Sequence, residues 1–252
     1  KRREVFLKEW NCTLQYLRDI GHRLAQAGNR PSWVPVETPQ GVQADQFLHA
    51  YYYRQVMDGN RARHRQFHER NRSRSVQALV EAVEWWSGLP GPPSNELKTI
   101  QAVPDIVASM SVEVVLQLDV DQFTEVFSHV HAFRVYANRA NHRTLGLSEK
   151  PPEMSSEERG RFLARRVYSL RNQRGESILE LLHYLLHGGA THDAPHRLFD
   201  LCNDPARRLR HVGLSTLGEV VGWALPTEFP PRNGRTSKAL YALGYDVTIH
   251  TE

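Results

Sequence analysis

The sequence predicts an all-α protein, and three observations support that fold class. Apolar residues recur at steps of three and four along most of the chain, capping residues precede several of these stretches, and glycine or proline follows them. Only the last stretch, 245–250, resembles a strand, and no internal repeat is apparent. With 252 residues, the chain can form one large or two small domains with cores of their own.

The first half of the chain contains three stretches with the periodicity of amphipathic helices. They cover residues 4–26, 43–58 and 74–89. Gly28 ends the first, and a loop with several prolines, 29–41, separates it from the second. Asp119 is placed to cap the helix that follows it, because its carboxylate can accept hydrogen bonds from free amides of the first turn. We therefore expect a helical domain over residues 1–150.

A domain boundary is predicted at residues 148–159. Pro151 and Pro152 stop the preceding helix, and Ser155 with Glu158 has the S-x-x-E spacing of a capping box. Further helical stretches follow at 160–172, 176–189, 196–202, 216–224 and 236–243. We therefore expect a second helical lobe over residues 151–252.

Cysteine content and hydropathy argue against several classes of protein. Cys12 and Cys202 are the only cysteines and lie far apart, which indicates neither a disulfide framework nor a cysteine zinc site. No apolar run approaches the roughly 20 residues that cross a bilayer, and the N-terminus lacks the apolar core of a signal peptide. We expect a cytoplasmic protein without a membrane partner. Because a helical pattern begins at the first residues, we also expect the chain to be part of a longer protein.

The positive charge is carried by arginine and is concentrated in one stretch. The chain has 32 Lys plus Arg against 28 Asp plus Glu, and 27 of the cations are Arg. Arg54–Arg74 contains seven arginines and two acids. Guanidinium groups suit phosphate oxygens and guanine edges. The stretch is a candidate surface for DNA phosphates, with Arg65, Arg72 and Arg74 as contacts, or else a solvated helix face.

Most signatures of enzymes and metal sites are missing from the sequence. It has no P-loop, dinucleotide glycine motif, nucleophile elbow or calcium loop. His183 and His187 share a helix face, and His192 follows them. However, Tyr184 stands where a metalloprotease needs the glutamate that acts on the metal-bound water. We expect neither a metal nor a cofactor.

One short motif favours an enzyme. Arg63 and His68 have the R-x4-H spacing, with a polar residue second, and this motif resembles that of the all-helical HEPN ribonucleases. In that family the arginine and histidine position and cleave an RNA phosphodiester. The resemblance implies Arg63 and His68 as candidate catalytic residues.

Residues 209–246 form the unit most informative about function. The segment 212–215 predicts a tight turn whose glycine, Gly213, permits a positive φ, and an apolar helix follows. An extended crossing at 229–231 leads to a last helix closed by Gly244. The helix that starts after the glycine turn points amides outward, and such amides are natural phosphate binders.

This unit resembles the helix-hairpin-helix segment of the DNA glycosylase superfamily, in which a hairpin L-P-G-h-G-x-x-T-A, with h apolar, leads to h-D-x-H/R-h-x-R. The matched positions are Leu209, Gly213, Thr216, Leu217 and Arg235. The twenty residues from Gly213 to Asn233 equal the family's spacing between that glycine and its catalytic aspartate. The resemblance implies DNA contacts from Arg208, Arg210, Gly213, Ser215, Thr216, Asn233, Arg235 and Lys238.

The unit departs from the family at the positions that carry the chemistry. Asn233 stands where the family has its aspartate, and Ser215 where bifunctional members have a lysine nucleophile. His211 replaces the first hairpin glycine. An amide cannot activate water as a base, so we expect no glycosylase activity, and Asn233 is only a weak candidate for a catalytic residue.

The segment also looks like a C-terminal unit of uncharacterised bacterial proteins near restriction and phage-defence genes, in which F-P, N/D-G/S-R and A-L-x-x-L-G-Y recur. We therefore expect a DNA-binding recognition component of a bacterial restriction, defence or repair system, acting with or without a nuclease or ATPase partner. Two alternatives stay open. One is a nucleic-acid-processing enzyme, either a HEPN-like ribonuclease or a divergent glycosylase, and the other is a helical scaffold that binds proteins.

Overall fold

The computed structural model of the chain describes residues 1–149 and 153–249, and the prediction of an all-α fold is confirmed. The helices are α1 Arg2–Ala25, α2 Gln40–Tyr51, α3 His64–Asn71, α4 Ser75–Ser87, α5 Glu96–Ser109, α6 Val120–Ser128, α7 His131–Arg139, α8 Ser156–Ser169, α9 Ile178–His187, α10 Ala194–Asn203, α11 Leu214–Ala224 and α12 Gly234–Ala242. A π-helical turn, Tyr52–Val56, extends α2. Two short strands, β1 Met57–Asp58 and β2 Arg61–Ala62, pair antiparallel before α3, whereas residues 245–249 form no strand.

The chain divides into two compact units. Unit 1 comprises Lys1–Gln101 and Pro226–Glu252, and unit 2 comprises Ala102–Leu225. This grouping differs from the predicted lobes 1–150 and 151–252, because the segment with α12 belongs to the same unit as the N-terminal helices. Of the predicted boundary, 148–159, residues 150–152 lie outside the described part of the chain.

In unit 1, helix α2 lies in the core and is buried along almost its whole length. Helix α1 packs closely against the start of α2 through Gly21, where a Cβ atom would lie 2.5 Å from the carbonyl oxygen of Gln40. The buried residues of α2 include polar ones, listed as Gln43, Asp45, Gln46 and His49. Since buried polar groups need hydrogen-bond partners, this helix constrains what packs around it. Burial raises the pKa of Glu96, but hydrogen bonds outweigh this and hold that pKa below its usual value, so the carboxylate accepts from Nδ1 of His49 at 2.9 Å.

Unit 2 is held by aromatic packing and by capped helices. Phe127 lies 4.2 Å from Phe123 and 5.0 Å from Phe133, measured between ring centroids. Both predicted caps are confirmed: Asp119 caps α6, and Ser155 with Glu158 forms the capping box of α8. Buried Glu219, on α11, accepts hydrogen bonds from the first amides of α7, at 2.6 and 2.9 Å. This carboxylate neutralises a helix start inside the unit.

Among the described residues, no helix combines the length and the hydropathy that a bilayer crossing requires.

Candidate nucleic-acid interface

The basic stretch Arg54–Arg74 folds into the π-helical turn, the β1–β2 hairpin and α3, all in unit 1. Its arginines are not equivalent. The exposed ones are Arg54, Arg61, Arg65, Arg70 and Arg72. Two are half-buried: Arg63 donates toward the backbone carbonyls of Val56 and Gln55, and Arg74 pairs with Glu81. Of the predicted contacts, Arg65 and Arg72 therefore face solvent, whereas Arg74 is already paired with an acid.

Arg65 and Arg72 lie seven residues apart at one helix face, since two turns of α-helix span about seven residues. Neither side chain has an ion pair or a hydrogen bond within residues 1–149 and 153–249, and the same holds for Arg61 on β2. One acid, Glu69, is exposed on α3. These guanidinium groups are free to bind an external anion without losing a partner in the described protein.

Helix α12 adds a cation to this face because it packs on α3. Burial lowers the pKa of His64, and the positive charges of Lys238 and Arg65 lower it further. Both cations must therefore lie close enough to the His64 ring to act on it. We give the name α3 surface to the exposed cations Arg61, Arg65 and Arg72 together with half-buried Lys238.

The two candidate ribonuclease residues have structural partners. The carbonyl oxygen of Tyr241 can only accept, so the 2.8 Å contact with His68 requires that Nδ1 of His68 donates. The His68 and Tyr241 rings stack 3.7 Å apart. Asn71 donates to the next carbonyl, that of Ala242, at 2.8 Å. His68 and Asn71 thus cap the C-terminal end of α12. Arg63 directly precedes α3, and its side chain donates to the carbonyls of Gln55 and Val56 at the end of the π-helical turn.

The start of α12, predicted to contact DNA, is buried instead. Asn233 is 7% exposed and caps α12, accepting from the amides of Arg235 at 2.9 Å and Thr236 at 3.2 Å. The Arg235 guanidinium donates to buried Asp45 of α2 at 2.7 Å, and the two side chains are 6% and 0% exposed. If Arg235 moved to a phosphate, the Asp45 carboxylate would stay in the core without its cation, which is strongly unfavourable.

The predicted hairpin before α11 belongs to unit 2, and its residues differ in exposure. Arg208, Arg210 and Gly213 are exposed, whereas Ser215 and Thr216 are buried. The predicted positive φ at Gly213 is wrong: its φ is −119°, because the glycine adopts the extended conformation of an N-cap.

The left-handed residue of this hairpin is His211, with a φ of 69°. A hydrogen bond of 2.8 Å joins Nδ1 of His211 to the hydroxyl of Tyr136, within the same unit. Burial lowers the pKa of His211, and Arg210 and Arg166 lower it further. His211 therefore stands neutral in a turn that a glycine would form more easily.

The histidine pair of α9 does not assemble a metal site. Nε2 of His187 donates to the backbone carbonyl of Met110 at 2.8 Å, since that oxygen can only accept. Over residues 1–149 and 153–249, no group of three or more His, Cys, Asp or Glu side chains is arranged to hold a metal ion.

Sequence reasoning missed Asp45, the residue that fixes the role of Arg235. A local signal was present, because polar residues interrupt an otherwise apolar helix near the start of α2. Its partner is 190 residues away in the chain, so no local pattern connects the two.

None of the protein families, curated proteins or solved structures compared with the chain matches it.

Proposed function

We propose that the protein binds duplex DNA through the α3 surface, as a recognition component of a bacterial restriction, defence or repair system without glycosylase activity of its own. The observation that carries the proposal is that Arg65 on α3 and Arg72, the residue directly after α3, are exposed on one side of the helix without partners in the described protein. The bacterial setting rests on the resemblance of residues 209–246 alone.

Duplex DNA suits this surface because its charge is dense and regular. Each arginine that contacts a phosphate releases condensed counterions, and this release drives binding. A guanidinium group also offers paired donors to two phosphate oxygens. Arg65 and Arg72 form no ion pair in the described protein. A contact between either guanidinium and a phosphate therefore breaks no existing ion pair.

A second contact is proposed at the hairpin of unit 2. Arg208 and Arg210 are exposed there, and Gly213, also exposed, precedes the first amides of α11. The contact rests on the two arginines, because Ser215 and Thr216, in the first turn of α11, are buried. We propose no contact from Asn233 or Arg235, since both have internal partners.

The proposal is tested by titrating a labelled duplex with the protein at several salt concentrations. We expect log affinity to fall linearly with log salt, and Arg65→Gln or Arg72→Gln to weaken binding at each salt concentration. The matched control is Arg161→Gln, because Arg161 is exposed on α8 but is paired with Glu157 at 2.6 Å. Equal weakening by all three variants, or affinity independent of salt, would contradict specific use of the α3 surface.

The absence of glycosylase activity is tested with abasic, damaged and modified duplexes. Buried Asn233 is a helix cap and has no carboxylate to activate water, so we expect no base excision. Excision that Asn233→Ala abolishes without unfolding the protein would overturn this part of the proposal.

A further inference from the structure

His64 is the first residue of α3 and has no role in the DNA binding described so far. Its ring lies edge-on to that of Tyr241 on α12, with 6.3 Å between the ring centroids. Further along α3, His68 bonds to the carbonyl of Tyr241 and Asn71 to that of Ala242. The contacts of α3 thus advance along α12 in chain order, and His64 lies beside the turn of α12 that precedes Tyr241.

Lys238 belongs to that turn. It is three residues before Tyr241 and therefore shares a face of α12 with it. Burial lowers the pKa of His64, and the positive charges of Lys238 and then Arg65 lower it further, which agrees with this placement. Neither cation has an ion pair or a hydrogen bond within residues 1–149 and 153–249. Two unpaired cations therefore lie around one neutral imidazole.

The two ring nitrogens of His64 have different surroundings. Nδ1 is buried and has no hydrogen-bond partner among the described residues. Nε2 lies at the accessible edge of this half-buried ring, and no described residue bonds to it either. A neutral imidazole carries one N–H. On Nδ1 that N–H would be buried without an acceptor, whereas on Nε2 it can donate to an oxygen from outside.

We propose that His64, Arg65 and Lys238 hold one backbone phosphate of the duplex, and that Nε2–H of His64 is a neutral donor to it. This inference rests on the proposed function and defines a phosphate site within the α3 surface. The two cations attract the phosphate, and the imidazole directs an N–H at one of its oxygens. Counterion release depends on the charges that neutralise phosphates, so His64 adds to the affinity without adding to its salt dependence.

Titration of a labelled duplex at several salt concentrations separates the neutral donor from the cations. His64→Phe keeps a ring edge against Tyr241 and removes the N–H. We expect affinity to fall about three- to tenfold at every salt concentration, with an unchanged slope of log affinity against log salt. Lys238→Gln should lower affinity and also make the slope shallower by about 0.9.

Two further variants serve as controls. His64→Gln has a side-chain amide that can donate, so it should recover most of the affinity lost in His64→Phe. His196→Phe makes the same change at an exposed histidine of α10 and should bind as the wild type does. Unchanged affinity in folded His64→Phe, or an equal loss in His64→Gln, would overturn the proposal. A shallower slope in His64→Phe would also overturn it, because His64 would then bind as a cation.

Nitrogen NMR of the histidine rings in the wild-type protein gives a readout that does not depend on how the variants fold. We expect His64 in the complex to carry its proton on Nε2 alone, and the Nε2 resonance to move when duplex is added. A proton on Nδ1 in the complex, or an Nε2 resonance that DNA leaves unchanged, would contradict the proposed contact.

The site and the proposed function can be told apart when they fail. Duplex binding that Arg65→Gln weakens and His64→Phe does not would refute only the role of His64. No duplex binding by the wild-type protein would refute the proposed function, and the phosphate site with it.

Discussion

The α3 surface and the start of α12 carry the same kinds of side chain but use them in opposite ways. Arg65 on α3 and Arg72, which directly follows α3, are exposed and have no partner in the described protein. Arg235 at the start of α12 is buried against Asp45, and neighbouring Asn233 is buried as a helix cap. Arginine and asparagine both suit DNA chemically, yet burial decides whether they face a ligand or hold the fold together.

The largest effect should come from breaking the buried ion pair. Arg235→Met leaves the Asp45 carboxylate without its buried cation, and we expect a loss of about 3–5 kcal/mol in the free energy of unfolding. Urea denaturation followed by circular dichroism measures it. The control is the double variant Asp45→Leu/Arg235→Met, which removes both charges and should recover most of the loss. A stable Arg235→Met protein with weakened DNA binding would mean that Arg235 contacts DNA after all.

His68→Ala should have the next largest effect on stability. It removes a hydrogen bond to the end of α12, worth about 0.5–1.5 kcal/mol, and the ring stacking on Tyr241, worth about as much again. Thermal and urea unfolding measure the loss. His196→Ala, on an exposed part of α10, serves as the control. If His68→Ala instead abolished an RNA cleavage activity and left stability unchanged, the ribonuclease hypothesis would regain support.

Two substitutions of Asn233 test whether this residue at the start of α12 is a helix cap. Asn233→Ala removes the cap of α12 and should destabilise the protein by about 1 kcal/mol, since cap losses range over about 0.5–2 kcal/mol. Asn233→Asp restores the residue that the glycosylase family has at this position and keeps an oxygen that can cap the helix. We expect Asn233→Asp to fold and to excise no base, because the position is a buried cap. Base excision by this variant would show that the position is accessible to DNA.

The smallest effect on stability is expected at the α3 surface. Arg65→Gln and Arg72→Gln replace exposed, unpaired side chains, so each should change the free energy of unfolding by less than about 0.5 kcal/mol. The same unfolding experiments measure this change. A larger loss in the free energy of unfolding would mean that these arginines stabilise the fold.

Local features of the fold were predictable from the sequence, whereas the site was predictable only in part. The caps at Asp119 and Ser155 were found because capping depends on residues three positions apart. Helix α3 was not predicted as a helix, because its apolar positions are few, and its stretch stood out only as a concentration of charge. The burial of Arg235 was not predictable, because it depends on Asp45, which lies on a different helix far away in the chain. The turn at Gly213 was predicted at the wrong residue, since non-glycine residues such as His211 seldom adopt a positive φ.

The salt dependence of DNA affinity tests most directly whether the α3 surface, and not the start of α12, contacts DNA. The slope of log affinity against log salt falls by about 0.9 for each lost phosphate contact. For the Arg65→Gln/Arg72→Gln double variant we therefore expect a slope shallower than that of wild type by about 2. An unchanged slope in this folded double variant would contradict the assignment of DNA binding to α3.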